Sequence, residues 1–144
     1  MDDLLSTNRM ELETREFRGL SCDGENIRQK EFLGCTFIKC TFRETVFREV
    51  HFRDCTFKGC DFSLVDLSNC SLIETRFDDS RLIGINWTLT AWVKKQFFKV
   101  ADFYGCALNH STFMGLNLKK TALVHCVAHD VDFSEADLTQ ANCS

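Results

Sequence analysis

A large apolar residue returns every five positions along most of the chain: Phe32, Phe37, Phe42, Phe47, Phe52, Phe57, Phe62, Leu67, Leu72, Phe77, Leu82, Trp87, Trp92 and Phe97. The series reaches back through Leu12, Phe17, Cys22 and Ile27. After a slip of one residue it resumes as Phe103, Leu108, Phe113, Leu118, Leu123, Ala128, Phe133, Leu138 and Cys143. A helix repeats its apolar face at 3.6 residues and a strand at two, so neither produces a period of five. A fixed short period marks an internal repeat. Taking the large residue as the centre of each repeat, the residue two before it is small or compact, as in Cys35, Cys40, Thr45, Val50, Cys55 and Cys60. The residue between them is mostly polar, as in Thr36, Thr41, His51, Thr56, Asp61 and Asp66. This pattern predicts a short strand with one large and one small side chain inward and the polar one outward. Each strand ends in a tight turn, so every repeat makes one side of a polygon. Large and small residues alternating inward fill a narrow tube without voids.

Two residue types check that phase independently. All nine cysteines fall at a centre (Cys22, Cys143) or at the small inward position (Cys35, Cys40, Cys55, Cys60, Cys70, Cys106, Cys126). They are expected to be core cysteines, packed as small hydrophobes. All seven glycines stand two after a centre, where a corner calls for positive φ.

Ala136-Asp137-Leu138-Thr139-Gln140 and Cys60-Asp61-Phe62-Ser63-Leu64 follow the order small, Asp, Leu or Phe, and two further residues. Over about residues 12–144 the chain resembles the pentapeptide-repeat proteins. That resemblance implies an all-β fold, a right-handed quadrilateral parallel β-helix of about 6–7 coils, with four repeats per coil. Residues twenty apart then stack: Phe32 on Phe52, Phe42 on Phe62, Cys35 on Cys55 and Cys106 on Cys126. Residues 1–11 carry no clean repeat and are expected to form a lead or a short cap ahead of the β-helix of residues 12–144.

Composition narrows the setting. The 144 residues form one domain. No apolar run approaches the ~18 residues of a membrane span, and no signal-peptide core opens the chain. Inward cysteines argue for reduced thiols in a cytoplasmic protein rather than a secreted disulfide scaffold. The net charge is −4. Between Arg81 and Lys120 the balance is locally basic, whereas from Thr121 onward only acids appear. Arg43, Arg48, Arg53 and Lys58 follow successive centres, with Glu44, Glu49 and Asp54 next in line, which predicts a solvated belt of alternating sign.

The repeat breaks once, giving one irregular coil near residues 92–102. Either phase leaves one extra residue near Val93-Lys94-Lys95-Gln96 and predicts a bulge or small loop there. Trp92, Val93, Lys94, Lys95, Gln96 and Lys99 are the candidate partner-binding residues, because loops held on rigid scaffolds carry binding. The competing reading is a local widening that accommodates two indoles. No Gly-rich phosphate loop, nucleophile elbow or metal-ligand spacing occurs. His110, His125 and His129 face outward around an inward Cys126 and do not assemble a ligand set. No enzyme activity, cofactor or metal is expected.

Within the resembled family, the chain is similar in repeat usage to the Qnr-type quinolone-resistance branch. That resemblance implies a DNA-mimicking rod that binds a type II topoisomerase, DNA gyrase or topoisomerase IV, as a homodimer joined at its C-terminal ends. It implies no direct contact with nucleic acid. The alternative is a generic protein-interaction scaffold with an unrelated partner. A continuous negative face favours mimicry and a patchwork favours the scaffold. The repeat stops directly after a centre, so the chain is expected either to be truncated at Ser144 or to dock that end on another chain.

Overall fold

The computed structural model describes residues 11–91 and 99–144. Ten short strands run in order: β1 (Glu11–Glu13), β2 (Glu16–Arg18), β3 (Asn26–Leu33), β4 (Thr36–Ile38), β5 (Val46–Arg53), β6 (Thr56–Lys58), β7 (Ser71–Ile73), β8 (Thr75–Asp78), β9 (Ala101–Tyr104) and β10 (Leu123–Val124). All pair in parallel, into one sheet of order β1-β3-β5-β7 and another of order β2-β4-β6-β8-β9-β10. Single bridges build two further columns. One runs from Ser21 through Thr41, Asp61, Arg81 and Ala107 to Val127, and the other joins Asn86, Thr112 and Asp132. Positive φ at Gln29 and Glu49 bends β3 and β5 midway, so each long strand serves two adjacent faces. The rod therefore has four faces, and about five turns separate β2 from β10. That is fewer than the repeat count anticipates, because the ends join by single bridges such as Ala122–Asn142 and one turn is overlong.

The centres form the core. Phe17, Phe37, Phe57, Phe77 and Phe103 stack in one column with ring centroids 4.9, 4.8, 4.9 and 5.4 Å apart. Phe32 stacks on Phe52 and Phe42 on Phe62, as their spacing predicts. Trp87, Phe113 and Phe133 continue a neighbouring column. Such pairs add about 0.5–1.5 kcal/mol each beyond area burial.

Corners fall two residues after each centre. Glycine stands at some of them, but among the described residues sixteen non-glycine residues also adopt positive φ there, Lys39, Glu44, Asp54 and Leu64 among them. The left-handed conformation costs an L-residue roughly 1–2 kcal/mol. Corner amides that have a further turn beside them donate to one of its carbonyls, as Lys39 N does to Lys58 O at 2.9 Å and Glu44 N to Ser63 O at 3.0 Å. Main-chain pairing therefore overrides the local preference. At Trp87–Leu89 a short 3-10 turn, capped by the Asn86 side chain, replaces the usual corner.

The break differs from its sequence reading. Every other ladder in the two sheets is offset by 20, but Thr75 pairs with Ala101 and Phe77 with Phe103, an offset of 26. Ala91 N still donates to Cys70 O, whereas Glu74 N donates to Lys99 O. The turn thus holds six residues more than its neighbours, all between Ala91 and Lys99, where one was anticipated. Six is one whole repeat plus one, and a period of five shows only the one.

Candidate interaction surface

Outward positions form columns along each face. Arg43, Arg48, Arg53 and Lys58 each follow a centre of one turn, so one cation stands on each of the four faces at the same level. Arg48 bonds Asp66 at 2.9 Å. Asp61 lies 3.8 Å from both Arg43 and Arg81, on the turns either side of it. This girdle puts a cation on every face beside the acids Glu44, Glu49 and Asp54, and Asp61 and Asp66 are ion-paired to it. The surface is a patchwork rather than one negative strip.

Among the described residues, one face carries no charged outward side chain between Asp66 and Asp132: Ser68, Asn69, Asn86, Thr88, Leu89, Thr112, Met114 and Gly115 line it. Leu89 and Met114 are 51% and 50% exposed there, and Leu64 is 57% exposed at the adjoining corner. None of the three was singled out by the sequence reading. Their signal was present, since each is a large apolar residue at an outward position that the repeat otherwise fills with polar groups.

Of the six sequence-predicted contact residues, Trp92, Val93, Lys94, Lys95 and Gln96 lie outside the described residues. Lys99 is described and is engaged. Its Nζ lies 3.3 Å from Asp102, and its amide donates to the Glu74 carboxylate at 3.3 Å. Asp102 also accepts the Ala122 amide at 2.9 Å. Arg76 places its guanidinium 4.0 Å above the Tyr104 ring and bonds Asp78 at 2.8 Å. These contacts pin the chain where it re-enters the ladder.

The inward cysteines do more than fill space. Cys35, Cys40, Cys55 and Cys60 each donate to the carbonyl oxygen of the centre twenty-three residues earlier, at 3.3–3.5 Å. Thr45 and Ser80 make the same bond with hydroxyls. Across the long turn Cys106 and Ser111 make it at a separation of twenty-nine. Burial raises the Cys22 thiol to about 11 and raises Cys70 as well. All nine cysteines are free thiols, and seven are buried. Cys126 is only half-buried and Cys143 is exposed, contrary to the expectation that all nine are core residues, because among the described residues these two have stacked neighbours on one side only. Among the described residues no three His, Cys, Asp or Glu side chains converge on a metal position. Among them, too, no helix is long and apolar enough to cross a membrane.

Residues 30–101 match the family pattern described as a pentapeptide repeat region, and residues 101–142 match pentapeptide repeats in eight copies. No curated protein matches the chain. A trypsin-treated form of QnrB1, a plasmid-mediated fluoroquinolone resistance protein, is similar at 22% identity and a TM-score of 0.55, over 87% of this chain and 73% of that one. HetL, a pentapeptide repeat protein involved in heterocyst differentiation regulation from the cyanobacterium Nostoc, aligns at 14% identity over 96% of this chain and 90% of that one, with a TM-score of 0.34.

Proposed function

This chain belongs to the pentapeptide-repeat family, and we propose that it is a non-enzymatic, cytoplasmic, right-handed rod that binds a protein partner through its outer faces. The family is generally non-enzymatic, which supports that reading. The observation that carries the choice of mode is the girdle of Arg43, Arg48, Arg53 and Lys58. DNA mimicry needs a dense field of one sign, and a cation on every face breaks it. We therefore favour contact by shape and apolar anchoring at Leu64, Leu89 and Met114 over mimicry. Exposed apolar side chains on a neutral ground suit a protein surface rather than a polyanion.

A type II topoisomerase is the partner to test first. QnrB1, which shares the fold across most of this chain, is a fluoroquinolone resistance protein. The experiment is a gyrase supercoiling assay with and without a fluoroquinolone, using the native chain beside a Leu64→Ser, Leu89→Ser, Met114→Ser variant. Inhibition or drug protection that the variant loses supports a topoisomerase contact on that face. Activity that the variant keeps moves the contact elsewhere. No effect up to high micromolar protein removes the topoisomerase reading and leaves a scaffold for another protein. We extend the proposal to a homodimer at the C-terminal turn, where Leu138 is 38% exposed and Phe133 half-buried. Sedimentation showing only monomer at high protein concentration removes that extension.

A further inference from the structure

Three cysteine pairs stand on adjoining turns: Cys35 with Cys55, Cys40 with Cys60, and Cys106 with Cys126. Neighbouring parallel rungs hold such Cα atoms about 4.8 Å apart, inside the span that a disulfide bridges. In each pair the later thiol donates to the carbonyl oxygen of the centre twenty-three residues earlier, so the two side chains point inward on adjoining rungs of one column. Five of these six residues are buried, and Cys126 alone is half-buried. Cys126 is therefore the one residue of the six that combines a neighbouring thiol on the adjoining turn with solvent exposure. We propose that Cys126, with Cys106 as its resolving partner, is a peroxide-sensitive modification site that closes a disulfide between two adjoining turns.

The surroundings favour the attacking form of that sulfur. The hydrogen bond from Cys106 leads, and the Cys106 and Gly105 backbones assist, in bringing the Cys126 thiol down to about 7 against the opposing effect of burial. The same contact and burial push the Cys106 thiol up, which makes it the second participant rather than the first. The Cys126 thiolate attacks hydrogen peroxide, an S–O bond forms, the O–O bond breaks, and the departing hydroxide takes a proton to become water. Cys106 Sγ then attacks the sulfenic sulfur. An S–S bond forms, the S–O bond breaks, and a second water leaves. Two thiols and one peroxide give one disulfide and two waters. Cys35–Cys55 and Cys40–Cys60 have the same spacing but no access for the oxidant.

The test is peptide mapping of the intact chain and of a Cys143→Ala variant after exposure to hydrogen peroxide. The expected product is lighter by about 2 Da, contains a Cys106–Cys126 bridge, and reverts with dithiothreitol. Without peroxide, native alkylation is expected at Cys126 about 10-fold or more faster than at Cys35 or Cys40. Cys126→Ser, whose hydroxyl can bond as Ser80 and Ser111 do, should fold and form no bridge. Overturning results are recovery of Cys106 and Cys126 as free thiols, oxidation of Cys126 to sulfinic acid without a bridge, prior reaction of a buried pair, or a bridge through Cys143 in its place.

Discussion

Cys55 Sγ donates to the carbonyl oxygen of Phe32, 3.3 Å away and twenty-three residues earlier. The bond joins two consecutive turns inside the core. It explains why Cys, Ser and Thr share the inward position with Val and Ala. Cys55→Ser should hold the fold with little loss. Cys55→Val fits the space, as Val50 does, but leaves that carbonyl without its thiol donor, and should cost about 1 kcal/mol. Urea unfolding of both variants decides this; equal losses would show that the thiol acts by volume alone.

Corner glycines are not equivalent. A Cβ at Gly24 meets nothing within 4 Å, so Gly24→Ala should cost about 1 kcal/mol from its positive φ alone. At Gly105 an added Cβ runs into the Asp79 carboxylate. Gly105→Ala should therefore lose more, about 2 kcal/mol, and Asp79→Ala in that background should recover the difference. Thermal melts of the three variants compare them directly, and similar melting temperatures for the two glycine variants would contradict the contact.

Asp66 is held at about 2 by the Arg48 guanidinium first and the Ser68 hydrogen bonds after it, against burial. Its folded-state value is depressed, so its contribution is present above the unfolded value of about 3.9 and lost as pH falls toward about 2. Asp66→Asn should flatten the stability profile across that window. Because the Arg48 and Asp66 side chains are 35% and 39% exposed, solvent screening should keep the loss at neutral pH below about 1 kcal/mol. Chemical denaturation at several acidic pH values reads the slope, and an unchanged slope in the variant rules out this linkage.

Asp102 joins the re-entry point to the following turn through Lys99 and the Ala122 amide. Asp102→Ala should destabilise by roughly 1–2 kcal/mol, because the amide loses a charged acceptor. Lys99→Ala should cost under about 0.5 kcal/mol, since the ion pair is partly exposed. Hydrogen exchange should show the larger effect of Asp102→Ala at Ala122 and Leu123. Loss spread evenly over the rod would argue against a local junction.

The phase of the repeat, the identity of the centres and the sites of the corners were legible because side-chain size has to alternate in a tube one residue deep. Phe32 on Phe52 and Phe42 on Phe62 followed directly from a spacing of twenty. Leu64, Leu89 and Met114 are legible as apolar residues at outward positions, but their gathering at one face depends on how the turns stack. The girdle was visible as a run of Arg43, Arg48, Arg53 and Lys58, yet its consequence required knowing that these four occupy four different faces.

By itself the sequence determined the five-residue side, because one large and one small side chain turn inward at that period and a corner follows each centre, while the parallel rod came from the family that these repeats resemble. Only the tertiary structure decided the length of the irregular turn. An insertion of one residue and an insertion of six leave an identical pattern modulo five, and the pairing of Phe77 with Phe103 distinguishes them. The tertiary structure also decided which thiols are reachable. The inward position recurs in every repeat, but the burial of each cysteine depends on what is stacked above and below it.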